Sequence, residues 1–333
     1  MDEIARDLVA PGKGILAADE SFPTIEKRFA KIGLASTEET RRAYREVLIT
    51  APEIERYISG VILFDETIRQ KAKDGTPFVE TLVSRGIIPG IKVDQGTEVV
   101  PGTQDEKVTK GLTGLEARLA EYKALGARFT KWRAVYSIGE WAPSEAIIER
   151  NAEGLAQYAL ISQKAGLVPM VEPEVLMDGR HSFKKCEEVT TKILTVVFRK
   201  LQEKGVELSK MLLKPNMVLP GKDSGEKVNP QLVAEATVRT LKNSVPTSVP
   251  GIVFLSGGQT PQEATIYLNE MNKYKDLPWQ LSFSFGRALQ DPVLTTWAGK
   301  VGNVEAAQRA FLKRARLNSL ARFGQYRPEL ENE

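Results

Sequence analysis

Histidine and cysteine are nearly absent from this chain: each occurs once among 333 residues, as His181 and Cys186. A lone cysteine excludes an intrachain disulfide and fits a reducing compartment. It lies in a helical pattern, which suits a small core residue better than a nucleophile. A lone histidine, in a predicted loop, excludes a zinc site built on several imidazoles. No apolar run approaches membrane-spanning length. The start, Met1-Asp2-Glu3-Ile4-Ala5-Arg6, has no basic region followed by an apolar one, so no secretory signal is expected. Cytoplasm is the expected location, with a mature organellar form left open. Charge of one sign is missing too: 46 basic residues face 43 acidic ones, a net +3 without the concentrated excess of a nucleic-acid binder. No nicotinamide fingerprint and no Walker motif occur.

What is present is a globular composition, 42% hydrophobic and 27% charged, enough for a sizeable core. Short apolar runs predict strands over 12–19, 61–65, 88–94, 128–135, 167–174, 211–217, 251–255 and 281–287. Helical patterns separate them. Ser36-Thr37-Glu38-Glu39 reads as a capping box opening a helix toward Tyr57, and Thr113-Gly114-Leu115-Glu116 as the cap of another. Further helices are expected over 77–83, 143–165, 182–204 and 303–323, and after Asn229-Pro230 and the box Thr260-Pro261-Gln262-Glu263. Residues 95–111 read as a long polar loop over the site. Eight strand–helix units with no linker predict an α/β fold, a single (β/α)8 barrel over residues 1–333 with a mobile tail from about 327. The alternative, a doubly wound open sheet, would carry its glycines after the first strand, whereas Gly12 and Gly14 precede it.

The stretch Met211-Leu212-Leu213-Lys214-Pro215-Asn216-Met217 organises the rest. Its apolar run reads as a buried strand, and Pro215 stops regular pairing just after the lysine. Lys214 then stands at the strand's carboxyl end, where desolvation disfavours the ammonium and favours a neutral, nucleophilic amine. A lysine that merely snorkels its charge to solvent is the plain alternative. Against that alternative, Asp19, Lys92, Lys131, Arg133, Glu172 and Glu174 also interrupt apolar runs at strand ends. So many charges on buried strands require a shared polar site, because charges inside a barrel are tolerated only when paired. Lys131 would depress the amine of Lys214 by like-charge repulsion. Glu172 and Asp19 suit proton transfer, Glu174 a salt bridge. Ser256-Gly257-Gly258, just before a helix start, offers backbone N–H groups to a phosphate, and Ser284, Gly286 and Arg287 would supply the neighbouring half. A second basic group, Lys27, Arg28, Lys92 and Arg133, belongs to the early strands and fits a substrate phosphorylated at both ends, unless it is a scattered solvated face.

Five segments carry a resemblance: Gly14-Ile15-Leu16-Ala17-Ala18-Asp19-Glu20-Ser21, Lys131-Trp132-Arg133, Val171-Glu172-Pro173-Glu174, Leu212-Leu213-Lys214-Pro215-Asn216-Met217 and Phe254-Leu255-Ser256-Gly257-Gly258-Gln259. In order and in register from about residue 10 to 326, they resemble class I fructose-1,6-bisphosphate aldolases. The resemblance implies a TIM barrel that cleaves the bisphosphate reversibly to dihydroxyacetone phosphate and glyceraldehyde 3-phosphate, with no cofactor and no metal. It implies that Lys214 forms the Schiff base and that Glu172 is its acid and base. It gives Asp19 the C4 hydroxyl proton and places Lys131 at the carbinolamine. Ser256, Gly257, Ser284, Gly286 and Arg287 match the ketose-phosphate anchor. Ser21, Thr24, Lys92 and Arg133, with Arg28 nearby, match the residues toward the other phosphate. It also implies a homotetramer, a phosphorylated sugar as the partner, and neither nucleic acid nor membrane. The same chemistry on sedoheptulose 1,7-bisphosphate, and a non-catalytic scaffold on this fold, are the alternatives.

Two departures stand out. Animal members end in a longer tail with a terminal tyrosine, whereas this chain stops at Glu333 and its last tyrosine is Tyr326. Rate and the preference between bis- and monophosphates are left open by that. Phe22-Pro23 also replaces smaller residues before Thr24, so the second phosphate pocket is expected to differ in shape.

Overall fold

The computed structural model describes residues 1–103 and 105–333. A short helix, α1 (Asp2–Asp7), precedes β1 (Gly14–Ala18), and α2 (Phe22–Ala30) and α3 (Glu38–Ile49) follow. Next come β2 (Ile58–Leu63), α4 (Asp65–Ile68), α5 (Phe78–Ser84) and β3 (Ile88–Lys92). Two small strands, β4 (Thr97–Val99) and β5 (Lys107–Thr109), pair antiparallel outside the barrel. The alternation resumes with α6 (Leu115–Ala124), β6 (Phe129–Tyr136), α7 (Glu145–Lys164), β7 (Val168–Val175) and α8 (Phe183–Glu203). It ends with β8 (Leu212–Leu213), α9 (Pro230–Ser244), β9 (Gly251–Phe254), α10 (Pro261–Met271), β10 (Gln280–Phe285), α11 (Arg287–Trp297) and α12 (Val304–Ala321). Parallel strands close a barrel in the order β1-β10-β9-β8-β7-β6-β3-β2, the (β/α)8 architecture expected from the sequence.

Successive side chains on a strand point to opposite faces, so every second residue enters the barrel. Ile15, Ala17, Ile62, Phe129, Val168, Met170, Leu212 and Val253 fill it as one apolar cluster, together with Ala5, Leu8 and Val9. The segment around α1 therefore plugs the end at which the strands begin. Glycines make room for it: a Cβ on Gly60 would lie 2.6 Å from Leu8, and one on Gly251 2.9 Å from Val9 Cγ2. Arg322, just past α12, fastens the plug by donating to the carbonyls of Ala10 (2.6 Å), Val9 and Lys13. Burial pulls its pKa down to about 10, since carbonyls and Gln280 face it rather than a carboxylate.

Several local expectations are corrected. The polar segment 95–111 is not a bare loop but contains the β4–β5 hairpin. The cap of α3 is Thr37, not Ser36: Thr37 Oγ1 accepts from Thr40 N–H at 3.1 Å and Thr40 Oγ1 accepts from Thr37 N–H at 2.9 Å. That helix stops at Ile49, and Glu53 turns left-handed (φ 59°) before the chain re-enters the barrel. Gly114, itself left-handed at φ 67°, begins α6 without a side-chain cap from Thr113. α11 has a weak sequence signal because Pro292 lies inside it. The sixth predicted strand keeps only Leu212–Leu213 in the ladder, and its pairing thins out rather than stopping at the proline, since Pro215 O still accepts from Leu255 N–H at 3.1 Å. The tail after Arg327 carries a 3-10 turn, Pro328–Asn332, whose Glu331 accepts from the buried Arg314 at 2.7 Å and from the Tyr326 hydroxyl at 2.9 Å.

The plug yields a test. Gly251→Val would push a branched side chain into Val9 and should destabilise the chain by about 1–3 kcal/mol through overpacking. Urea unfolding reads this as a lower midpoint; an unchanged midpoint would mean that the Val9 segment after α1 does not pack there.

Candidate active site

The alternation that fills the barrel also delivers the charges. Along β1 the inward series is Ile15, Ala17 and then Asp19; along β6 it is Phe129, Lys131 and Arg133. On β7 it is Val168, Met170, Glu172 and Glu174, and after β8 Leu212 gives way to Lys214. The change from apolar to charged therefore comes at nearly the same height on four strands. Strand register fixes their neighbours: Lys131 lies opposite Lys92 on β3 and Met170 on β7, and Arg133 opposite Glu172. Past the short β8 ladder, Lys214 N–H still donates to Val171 O at 2.8 Å, which holds its backbone beside β7.

Lys131 Nζ sits 2.8 Å from Asp19 Oδ2 and 3.0 Å from Glu172 Oε2, and Lys214 Nζ lies 3.3 Å from Glu172 Oε1. All four side chains are buried, Lys214 with only 3% exposure. Burial alone would push the Asp19 carboxyl up, but the Lys131 ammonium, with Lys214 behind it, outweighs burial and holds the pKa at about 2. Glu172 is likewise kept below the usual carboxylate range against its burial, by Lys131 first and then Lys214 and Arg133. Lys131 is pulled up, since Asp19 and Glu172 overcome its desolvation. Lys214 moves the other way: burial lowers it, Glu172 only partly offsets that, and Lys131 repels it. The resting cluster thus holds two carboxylates, one firm ammonium and one amine biased toward neutrality. That set can attack a carbonyl and pass protons at two points.

The remaining expected site residues divide into two groups. Lys92 Nζ meets Asp94 at 2.7 Å, and Arg133, about two-fifths exposed, pairs with Glu174, the salt-bridge part expected for that glutamate. Ser21 caps α2 by position, and its hydroxyl lies 3.2 Å from that of Thr24. Phe22 packs edge-on against Phe64 and beneath the Arg41 guanidinium, 4.6 Å from the ring centre. The other group gathers where the barrel closes. Ser256 is buried after β9, Ser284 faces inward toward Met170 from β10, and Gly286 leads into α11, whose first residue is Arg287. The Thr260–Glu263 capping box fixes the start of α10 beside Gly257 and Gly258 and is worth about 1 kcal/mol.

Arg28 departs from its expected company. Sequence grouped it with Lys92 and Arg133, but its Nη2 lies 3.7 Å from where a Cβ of Gly286 would stand. Burial lowers the pKa of Arg287, and the Arg28 charge lowers it further. The reason is topological, since β1 and β10 are neighbours in the closed barrel. Glu20 orients this arginine. Buried, it ion-pairs with Arg28 and with Arg45 (2.6 Å), and accepts from Gln290 Nε2 at 2.7 Å, while Gln290 Oε1 takes the Tyr44 hydroxyl at 3.0 Å. Glu20, Arg45 and Gln290 escaped sequence reasoning. Their one signal was Arg45, a charge inside the buried stripe of α3.

Cys186 is buried in α8, as expected, and burial raises its pKa; His181 lies just before that helix. Among the described residues, no three His, Cys, Asp or Glu side chains gather as metal ligands. The model of the class-I fructose-bisphosphate aldolase family matches residues 1–333. A probable fructose-bisphosphate aldolase class 1 of Xanthomonas axonopodis pv. citri is 54% identical over 326 residues, 98% of either chain. The cytosolic fructose-bisphosphate aldolase 5 of Arabidopsis thaliana is 56% identical over 97% of this chain and 90% of its own. The solved fructose-bisphosphate aldolase of Plasmodium falciparum, in complex with TRAP and a small-molecule inhibitor, superposes with a TM-score of 0.97 at 50% identity, covering 98% of this chain and 94% of that one. With the family's motifs seated on one barrel mouth and the likeness running end to end, the chain belongs to the class-I fructose-bisphosphate aldolases.

Proposed function

We propose that the chain cleaves fructose 1,6-bisphosphate reversibly into dihydroxyacetone phosphate and glyceraldehyde 3-phosphate, without metal, through an imine on Lys214. The observation that carries the residue assignment is the buried Lys214 amine 3.3 Å from Glu172, with Lys131 bridging Glu172 and Asp19. Neutral Lys214 attacks the C2 ketone, and Glu172 shuttles the protons that turn carbinolamine into iminium and water. The iminium is an electron sink. Asp19 removes the C4 hydroxyl proton, the C3–C4 electrons fall toward C2, and the aldehyde product leaves an enamine behind. Protonation at C3 and addition of water then release dihydroxyacetone phosphate and restore the amine. Lys131 keeps both acids ionised until a proton reaches them, and its charge stays in place throughout.

Phosphates anchor the two ends. Ser256, Gly257, Gly258, Ser284, Gly286 and Arg287, with Arg28 beside them, take the ketose phosphate. Ser21, Thr24, Lys92 and Arg133 face the other. The whole chain acts as one catalytic unit in a homo-oligomer, and the cytosolic relative supports a cytoplasmic location. Among the described residues no helix is long and apolar enough to cross a membrane.

Borohydride reduction with dihydroxyacetone phosphate in the presence of EDTA, followed by peptide mapping, tests the reading. A stable adduct on Lys214 is expected in the wild type, and Lys214→Met should lose both the adduct and turnover; cleavage retained by that variant would sink the imine mechanism. The electrostatics make a second prediction. Lys214 gains reactivity as pH rises through its depressed pKa, and Lys131→Met removes the nearby like charge. The acid limb of imine trapping should then move to higher pH, and a limb that stays put or moves down contradicts the repulsion argument.

A further inference from the structure

Lys222 lies in the segment joining β8 to α9, outside every motif discussed above. Its backbone is held firmly. Lys222 N–H donates to Met177 O at 2.8 Å, Gly221 N–H to His181 O at 2.9 Å and Asp223 N–H to Gly179 O at 3.0 Å. These bonds dock the segment on the loop between β7 and α8. From that anchor the lysine stem crosses the turn Ser256-Gly257-Gly258. A Cβ on Gly258 would collide with the stem and would lie 2.8 Å from Nζ. Gly258 is not in the left-handed region, and what a Cβ there would meet is the flexible end of the Lys222 side chain, which places that end directly over the turn.

The lysine charge has little else to do. Its one carboxylate neighbour among the described residues, Asp178, stands 3.4 Å away and is largely solvated. Beneath it the turn presents donors. Gly257, at φ 46°, turns the backbone left-handed, and Gln259 N–H is already taken by Ser256 O at 2.9 Å. Among the described residues, the N–H groups of Gly257 and Gly258 donate to nothing. A loosely matched ammonium over free amides at the start of α10 is the chemistry of a phosphate dianion.

We propose that Lys222 is a further binding residue of the ketose-phosphate site, pairing with the phosphate that the Gly257 and Gly258 amides cradle. The proposal rests on the cleavage reading for the identity of the phosphate, but not for the site itself. Lys222→Met keeps the stem over Gly258 and removes only the charge, so a purely structural role would survive it.

The test has two parts on the full chain. Calorimetric titration with inorganic phosphate should show binding weakened by about tenfold in Lys222→Met, the loss of one charge-assisted hydrogen bond. Steady-state kinetics should show KM raised to a similar degree for fructose 1,6-bisphosphate and for fructose 1-phosphate, with kcat nearly unchanged and Lys222→Arg restoring most of the loss. Wild-type phosphate affinity and KM in the Met variant would overturn the proposal, as would a KM effect confined to the bisphosphate. Phosphate binding that depends on Lys222 in a chain unable to cleave fructose 1,6-bisphosphate would uphold the site and overturn the cleavage reading instead.

Discussion

Lys131 between Asp19 and Glu172 is the contact on which the chemistry depends, because four ionisable groups share a space that water barely enters. A single buried charge there would carry a large desolvation penalty and would neutralise itself by shifting its pKa. Lys131 resolves the problem for three of the four groups. Two carboxylates and one ammonium compensate one another, so all three stay charged. Lys214 shares only one carboxylate, already engaged by Lys131, and it alone is pushed toward neutrality. The same electrostatic arrangement therefore keeps three groups charged and biases one amine toward neutrality.

That cluster needs a rigid frame, which the barrel supplies by filling its own interior. Apolar side chains occupy the lower layers, the α1 plug seals the strand starts, and only the next inward positions meet the mouth. Moving the register of β6 by one residue would turn Lys131 outward and bring Trp132 in, abolishing the ion pairs. Closure of the sheet adds a second consequence. It sets the first and last strands side by side, so that Arg28 and Arg287, far apart in the chain, come close enough at Gly286 for their charges to repel.

Much of this was legible. Alternating apolar strands, helix caps at Asn229 and Thr260, and charges at the ends of apolar runs follow from local sequence, and they mark Lys214, Glu172, Asp19 and Lys131 as one set of strand-end charges. Short-range signals failed where neighbours decide. Thr40 rather than Glu39 completes the cap of α3, because that helix begins one residue later than the pattern suggests. The β4–β5 hairpin has little hydrophobic alternation to reveal it, with β4 exposed throughout. Glu20 reads as one more polar residue after a strand, and nothing local discloses that Arg28, Arg45 and Gln290 converge on it.

By itself the sequence determined the fold class, the absence of a histidine-built metal centre and the position of Lys214 after a buried apolar run, since these depend on residue type, count and periodicity along the chain. Tertiary structure alone decided which charges compensate which, where Arg28 points and which loop brings Lys222 over Gly258. Those properties depend on distances of a few ångströms between residues remote in the chain. Such distances arise only when a closed barrel brings strand ends and their loops to one mouth.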